Sequence, residues 1–277
     1  MLAAAIKKLA PTSASPRLDA ELLLARVLDV ERSYLFAHPE DTMDSATAER
    51  FSMLLLRRAS GYPMAYIMGE KEFWSMTLTV SPETLIPRPE TEIIVAQTLQ
   101  RIPLHSEMEI LDLGTGTGAV GLAIARERPL CHVVATDIST DALAVAQVNA
   151  CKLSVPNIEF VLGDWLEPVA GQKFDLIVSN PPYIASDDPH LADLEHEPIC
   201  ALEAGADGLD AIRKIVFGAG KVMKYGGHLI LEHGAEQAND ILEMYRGGDW
   251  TDISDVKDYA GMPRVVIAIY NQPNADK

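Results

Sequence analysis

The chemistry-bearing part of this 277-residue chain is the segment from Asn180 to Tyr183, which reads Asn-Pro-Pro-Tyr. An apolar, β-branched run at 174–179 precedes it and predicts a buried parallel strand. Two successive prolines end that strand along one stiff path, because each fixes φ near about −65° and lacks an N–H. The Asn180 side-chain oxygen and a carbonyl of the proline pair can accept both N–H groups of a planar nitrogen, with Tyr183 against its flat face. This arrangement suits a nitrogen nucleophile, although the same residues also fit a simple proline-terminated turn.

Three further features follow other predicted strands. The glycine-rich segment 114–118 stands directly before a helix, where alternate glycines let a ligand approach the backbone and the helix start supplies N–H groups. Asp137 ends the next strand, and a carboxylate there can accept both hydroxyls of a ribose. Asp164 and Trp165 follow the third strand and offer an acceptor and a flat surface to an adenine. Because these strand ends meet at one edge of a sheet, we expect all of them to face one crevice with Asn180.

Each feature alone has a structural alternative, and two cofactor classes fit the set. Tight turns use glycine in any case, Asp137 could cap a helix, and Trp165 could only pack. Residues 116–121 also satisfy the G-x-G-x-x-G pattern of nicotinamide and flavin enzymes. An extra glycine at position 114 and the Asn-Pro-Pro-Tyr segment have no use in hydride transfer, however. S-adenosylmethionine fits better, because it carries adenosine without a pyrophosphate and its sulfonium methyl is an electrophilic carbon.

The composition limits the classes of molecule that this protein is expected to bind. Lys and Arg total 23 against 40 Asp and Glu, a net charge of −17 that argues against tight binding to DNA. The cysteines are odd in number and widely spaced, at Cys131, Cys151 and Cys200, so they suggest neither a disulfide framework nor a metal site. Neither a secretory signal nor a run long enough to span a membrane is recognisable. We therefore expect a cytoplasmic protein with no metal and no membrane contact.

The order of elements predicts a helical region followed by an α/β sheet. Apolar stripes predict helices before Gly69, and alternation over 74–80 predicts a strand with a turn at 81–84 and a return at 85–86. A long polar loop is expected at 184–208, and two last strands, near 252–256 and 264–270, should pair antiparallel. The remaining elements are predicted as strands at 109–113, 132–136, 158–162, 174–179 and 227–232 and helices at 119–126, 141–151, 209–223 and 235–246.

A family resemblance rests on these motifs. Residues 112–118 together with 180–183 resemble class I amino-methyltransferases. With Pro-Arg-Pro-Glu-Thr-Glu at 87–92, Glu197-Pro198 and Asp207-Gly208-Leu209, nearly the whole chain is similar to the bacterial peptide chain release factor glutamine methyltransferases. The 87–92 segment is the discriminating piece, because the related enzymes that modify a ribosomal protein usually diverge there.

The resemblance implies a fold, a reaction and a set of site residues. The fold is a Rossmann-like, seven-stranded class I methyltransferase sheet (90–277) with an all-α, substrate-recognising N-terminal domain (1–72) and a β-hairpin linker (73–89). The reaction is N5-methylation of the glutamine in the Gly-Gly-Gln motif of release factors, leaving S-adenosylhomocysteine; another glutamine, or an exocyclic amine of DNA or RNA, is the alternative substrate. The residues implied for the cofactor are Gly114, Thr115, Gly116, Thr117, Gly118, Asp137, Asp164, Trp165 and Asn180. Those implied for substrate and catalysis are Asn180, Pro181, Pro182 and Tyr183.

Overall fold

The computed structural model describes residues 1–246 and 248–271. Its chain forms two compact units, with the boundary in sequence between Glu70 and Lys71. The first unit contains helices α1 (Leu2–Leu9), α2 (Pro16–Leu28), α3 (Arg32–Ala37), α4 (Ser45–Ala59) and α5 (Met64–Met68).

The helical unit has its own small core. Leu9, Leu23 and Phe51 are buried there, one from each of the three longest helices. Asp44 begins α4 by accepting the Thr47 N–H at 2.8 Å, which satisfies one of the unpaired donors of the first turn.

The second unit begins within the first strand of a hairpin, because that strand starts at Glu70, the last residue of the first unit. It continues as alternating strands and helices. Its strands are β1 (Glu70–Phe73), β2 (Met76–Thr79), β3 (Glu109–Leu113), β4 (His132–Asp137), β5 (Ile158–Leu162), β6 (Phe174–Ser179), β7 (Met223–Glu232), β8 (Trp250–Lys257) and β9 (Pro263–Tyr270). Its helices are α6 (Glu92–Arg101), α7 (Ala119–Glu127), α8 (Thr140–Leu153), α9 (Asp210–Ala219) and α10 (Ala238–Met244). Short 3-10 turns lie at 89–91, 167–169, 189–194 and 199–201.

Seven of the strands form one sheet in the order β5-β4-β3-β6-β7-β9-β8. Neighbours from β5 to β7 are parallel, whereas β9 runs antiparallel to both β7 and β8. The predicted Rossmann-like α/β fold and its antiparallel last pair are confirmed. The chain leaves β3 in one direction and returns at β6 to build the other half, so a crevice opens outside the carboxyl ends of these two strands.

The hairpin was wrongly placed by the sequence pattern. It spans 70–79 rather than 73–89, because Trp74 and Ser75 form the turn with φ of 48° and 54°. Non-glycine residues seldom adopt a left-handed backbone. An alternation of polar and apolar residues therefore could not show that the chain turns here. Phe73, Met76 and Leu78 are buried in the core beneath the sheet, so the hairpin is packed into the second unit.

Two boundaries near β7 also differ from the prediction. The helix α9 ends at Ala219 rather than 223, followed by Gly220, and β7 starts at Met223 rather than 227. Met223 pairs with Phe174 before a register irregularity that takes in the glycines at 226 and 227. Because glycine is uncommon inside strands, the sequence pattern placed the start of the strand at these glycines. Within the described residues, no helix is long and apolar enough to cross a membrane.

Candidate functional site

The turn after β3 is shaped by glycines. Gly114, Gly116 and Gly118 have φ of 67°, 56° and 82°, values that L side chains rarely adopt. A Cβ on Gly118 would lie 2.8 Å from Leu122 Cδ1, so a side chain there would disturb the start of α7. At Gly116, in contrast, a Cβ would meet nothing within 4 Å, so the backbone of the turn lies open there.

Buried Asp112 anchors the same turn from below. Its Oδ2 accepts the Thr115 hydroxyl at 2.6 Å and the Gly121 N–H at 3.0 Å. Burial raises the pKa of this carboxyl to about 6, even though the two hydrogen bonds act to lower it. Thr115 and Thr117 are both buried within the turn.

Asp137, at the end of β4, is bonded to the glycine turn. Its Oδ2 accepts the Gly116 N–H at 2.8 Å and its Oδ1 accepts the Ser139 N–H at 2.9 Å. The cap of α8 is Ser139, whose hydroxyl accepts from Ala142 N–H, so Asp137 does not serve as that cap. Each carboxylate oxygen keeps acceptor capacity for a further donor such as a ribose hydroxyl.

Trp165 and Asp164 form the next part of the crevice. Trp165 adopts φ of 47°, and its ring lies beside Gly114, where a Cβ would come within 3.4 Å of it. The Thr136 hydroxyl donates to the Trp165 carbonyl at 3.3 Å and fixes this unusual backbone. The Asp164 Oδ2 lies 3.4 Å from the Lys214 ammonium nitrogen, so the two side chains form an ion pair.

Asn180 is oriented by a residue from the segment before α6. Its Nδ2 donates to the Thr91 hydroxyl at 3.1 Å, and among the described residues no donor is bonded to its Oδ1. The preceding Ser179 donates its hydroxyl to the Leu113 carbonyl at 2.7 Å, which ties the end of β6 to the end of β3. The carboxamide is therefore held with one of its two N–H groups used and its acceptor oxygen available.

Tyr183 is held by the end of β7. Its hydroxyl donates to Glu232 Oε1 at 3.3 Å. Burial raises the pKa of the Glu232 carboxyl to about 7, while the Thr91 hydroxyl and the Arg264 charge act in the opposite direction. Burial, followed by the Glu232 charge, raises the pKa of the Tyr183 phenol as well. The phenol therefore stays protonated and remains a donor.

Three cavities meet at Asn180. The largest, about 410 Å³, is lined by Gly114, Gly116, Asp137, Asp164, Trp165, Asn180 and Pro182 among others. A second, about 50 Å³, is lined by Thr115, Thr117 and Asp112 together with the same glycines. A third, about 70 Å³, is lined by Pro181, Pro182 and Tyr183 with apolar side chains. Asn180 lines all three, so it lies at their junction.

All but one of the predicted site residues line these cavities. The exception is Gly118, which shapes the start of α7 instead. Sequence reasoning gave no role to Thr91, Glu232 or Gln237, which bond to Asn180 or Tyr183. It also gave none to Glu197, which bonds to Ile86 and Arg88 in the segment before α6. Three signals were present: Thr91 lies in the discriminating 87–92 segment, Glu197 belongs to the Glu197-Pro198 pair that carries part of the resemblance, and Glu232 ends β7 at the same edge of the sheet.

Known proteins resemble each unit of the chain. The family described as the PrmC N-terminal domain matches residues 1–69, and one described as a methyltransferase domain matches 104–263. A release factor glutamine methyltransferase of Coxiella burnetii is 45% identical over 262 residues, 95% of each chain, and one of Escherichia coli is 43% identical over 94% of each. A crystal structure of a methyltransferase from Pyrococcus furiosus aligns with a TM-score of 0.56 at 20% identity, covering 81% of this chain and all of that one.

The sheet with its crevice between β3 and β6 thus belongs to a methyltransferase, in agreement with the matched domain and the shared fold. Identity at this level over nearly the full length of both chains is more specific than a fold. The chain belongs to the release factor glutamine methyltransferase family, and the resemblance drawn from its sequence is confirmed.

Proposed function

We propose that this protein transfers the methyl group of S-adenosylmethionine to the side-chain amide nitrogen (N5) of a glutamine, the one in the Gly-Gly-Gln motif of peptide chain release factors. The observation that carries the proposal is the position of Asn180. This residue lines both the large cavity and the small apolar one, and Thr91 holds its carboxamide with the oxygen available. The names of the relatives support the choice of substrate.

The large cavity fits an adenosine-bearing cofactor. Its volume of about 410 Å³ lies within the range of small-ligand sites, roughly 300–1,000 Å³. Asp137 would accept the ribose hydroxyls, Trp165 and Asp164 would hold the adenine, and the open backbone at Gly116 leaves room for close approach. When bound, S-adenosylmethionine supplies an electrophilic methyl group, and the wall nearest to the proposed acceptor is formed by Asn180.

The small cavity fits the end of a glutamine side chain. Asn180 Oδ1 and a carbonyl of the Pro181-Pro182 segment would accept the two N–H groups of the substrate amide. Because Tyr183 is fixed by Glu232, its ring would cover the flat face of that amide. Two acceptors on one nitrogen orient its lone pair, which matters since an amide lone pair is delocalised into the carbonyl.

Correct positioning of the amide nitrogen would then supply much of the rate acceleration of methyl transfer, so no strong base is required. Well-oriented reactions gain on the order of 7–11 kcal/mol from fixed geometry and excluded water. The Asn180 oxygen would also stabilise the amide hydrogens as the nitrogen becomes cationic, a preorganised electrostatic contribution. One of these two protons then leaves to solvent, which gives the neutral N-methyl amide. In this chain the carboxamide is preorganised by Thr91, and the turn that follows it by two prolines.

The proposed function places the enzyme in the cytoplasm with release factors, and a direct assay tests it. Purified protein, methyl-labelled S-adenosylmethionine and a purified release factor should yield one methyl group on the glutamine of Gly-Gly-Gln, located by mass spectrometry. A release factor with asparagine at that position should stay unlabelled. Labelling of a different residue, or thermal stabilisation by NAD and none by S-adenosylmethionine, would contradict the proposal.

A further inference from the structure

The small apolar cavity beside Asn180 has walls from three separate stretches of chain. One stretch contributes Leu85 and Arg88, the second is the 180–184 turn, and the third contributes Leu194 and the pair at 201–202. We call this cavity the slot. The first and third stretches are more than 100 residues apart in sequence, so their separation is set by tertiary contacts.

Glu197 makes those contacts. Its Oε2 accepts the Ile86 N–H at 3.0 Å, and its Oε1 accepts from the Arg88 guanidinium. The Glu197 side chain is only 3% exposed, whereas that of Arg88 is 34% exposed. The Glu197 N–H in turn donates to the Leu194 carbonyl at 2.9 Å. A single buried carboxylate is therefore bonded to the stretch that forms one wall and sits within the stretch that forms another.

We propose that Glu197 is a positioning residue that holds the slot at the width of an unbranched side chain. The slot would then accept a run of methylenes that ends in a primary carboxamide and would exclude a branched one. Leu85, Leu194 and Leu202 offer the methylenes an apolar surface, and Asn180 lies at the end where the carboxamide would sit. This inference rests on the proposed function, because it concerns the selectivity of the same site.

The type of contact supports a geometric role. Burying an ion pair brings little net stability, because the cost of removing both charges from water offsets their attraction. In this chain the contribution of the Glu197 pair would therefore be to fix one mutual position of the groups that carry it. The slot walls would touch substrate methylenes equally in the ground state and the transition state, so their displacement should raise KM and leave kcat nearly unchanged.

The chain contains a matched control at the opposite end of β6. Asp175 Oδ2 accepts the Glu109 N–H at 2.9 Å and the Lys224 ammonium at 2.8 Å, so it also joins a backbone N–H to a cation. Asp175 and Lys224 lie at the other edge of the sheet from the slot. Asp175→Asn and Glu197→Gln therefore make the same chemical change, and each keeps an oxygen for its backbone donor.

Steady-state methylation of a Gly-Gly-Gln peptide by the full chain tests the proposal. Glu197→Gln should raise KM about tenfold or more, in line with the loss of a charged hydrogen bond, with kcat and the S-adenosylmethionine Kd changed less than about threefold. Its preference for glutamine over 3-methylglutamine, measured as a ratio of kcat/KM, should fall by a similar factor. Asp175→Asn should leave KM and that preference within about threefold of the wild type. An unchanged KM and preference in Glu197→Gln, or a loss confined to kcat, would overturn the proposal.

Hydrogen exchange separates this inference from the proposed function, because it requires no substrate. In Glu197→Gln, and not in Asp175→Asn, the amides of Ile86 and of 194–202 should exchange at least several-fold faster. Equal protection in both variants would reject Glu197 as the link between the walls. A wild-type protein that methylates no glutamine would refute the function, while faster exchange in Glu197→Gln would still establish the link.

Discussion

The turn after β3 and the turn after β6 lie side by side at one edge of the sheet and are built in opposite ways. The first is made permissive by glycines with positive φ at 114, 116 and 118, and it presents its own backbone. The second is made stiff by Pro181 and Pro182, and it presents a side chain. The ends of the two strands are paired in the sheet, and the Ser179 hydroxyl also donates to the Leu113 carbonyl.

The difference matches what each turn is proposed to hold. A cofactor that only has to be bound requires close approach, which glycine allows. A nucleophile that must be oriented requires groups whose positions are fixed. Thr91, Glu232 and Gln237 form hydrogen bonds to the second turn from other parts of the chain. Substitutions in the two turns should therefore separate turnover from cofactor binding.

The largest effect is expected at Asn180. Asn180→Ala removes the acceptor that orients the amide, and loss of one preorganised group of this kind costs roughly 100- to 1,000-fold in kcat. The Kd for S-adenosylmethionine, measured by calorimetry, should change less than about fivefold, because the other cavity walls remain. Comparable losses in kcat and in cofactor affinity would remove the contrast between the turns.

A smaller effect, on stability and its pH dependence, is expected at Glu232. A carboxyl whose pKa is raised from 4.5 to about 7 on folding binds protons more tightly in the folded state. It favours folding at low pH, and that contribution is lost as the pH rises from about 4.5 to about 7. Relative to the wild type, Glu232→Gln should thus gain roughly 2–3 kcal/mol of unfolding free energy across this window in urea titrations.

Exposed Glu236 supplies the control for this measurement. Glu236→Gln makes the same chemical change four residues later, at a solvent-exposed carboxylate. The difference in unfolding free energy between Glu236→Gln and the wild type should stay constant between pH 4.5 and 7. A Glu232→Gln difference that is equally flat would show that the carboxyl ionises normally in the folded protein.

The smallest effect is expected at Gly116. A Cβ built there meets nothing within 4 Å, so Gly116→Ala should cost only the strain of φ at 56°, about 1–2 kcal/mol of stability. Cofactor affinity should nevertheless fall, because the methyl group occupies space that a ligand requires. Gly171→Ala, with φ of 86° and equally open surroundings, should show the strain without the affinity loss. Equal cofactor Kd values in the two variants would place the ligand away from this turn.

The fold was largely predictable because its core strands carry a local signal. The runs at 109–113 and 174–179 have the predicted bounds, since these central strands are buried along most of their length and are largely apolar between turn residues. The half-buried edge strand at 158–162 has them as well. The hairpin was misplaced because its turn uses Trp74 and Ser75, which a pattern of polarity cannot mark as left-handed. Propensity and periodicity therefore gave the sheet but not this turn.

The candidate site was predictable only where a residue follows its own strand. Asp137, Trp165 and Asn180 could be assigned to one edge from strand order alone. Glu197 and Gln237 could not, because their partners are set by tertiary contacts: Glu197 bonds to Ile86, and Gln237 Nε2 donates to the Tyr183 carbonyl at 2.9 Å. Their roles depend on loop paths that no local pattern in the sequence encodes.

The hairpin has a practical consequence for dividing this protein. Asn149, fully buried on α8, accepts the Thr79 N–H at 2.7 Å, donates to the Thr79 carbonyl at 3.0 Å and donates to the Thr117 carbonyl at 2.9 Å. Cutting the chain after residue 80 to isolate a catalytic fragment would strip two of these partners from a carboxamide that also steadies the glycine turn. An expression fragment meant to retain cofactor binding should therefore start no later than Glu70, at the first residue of β1.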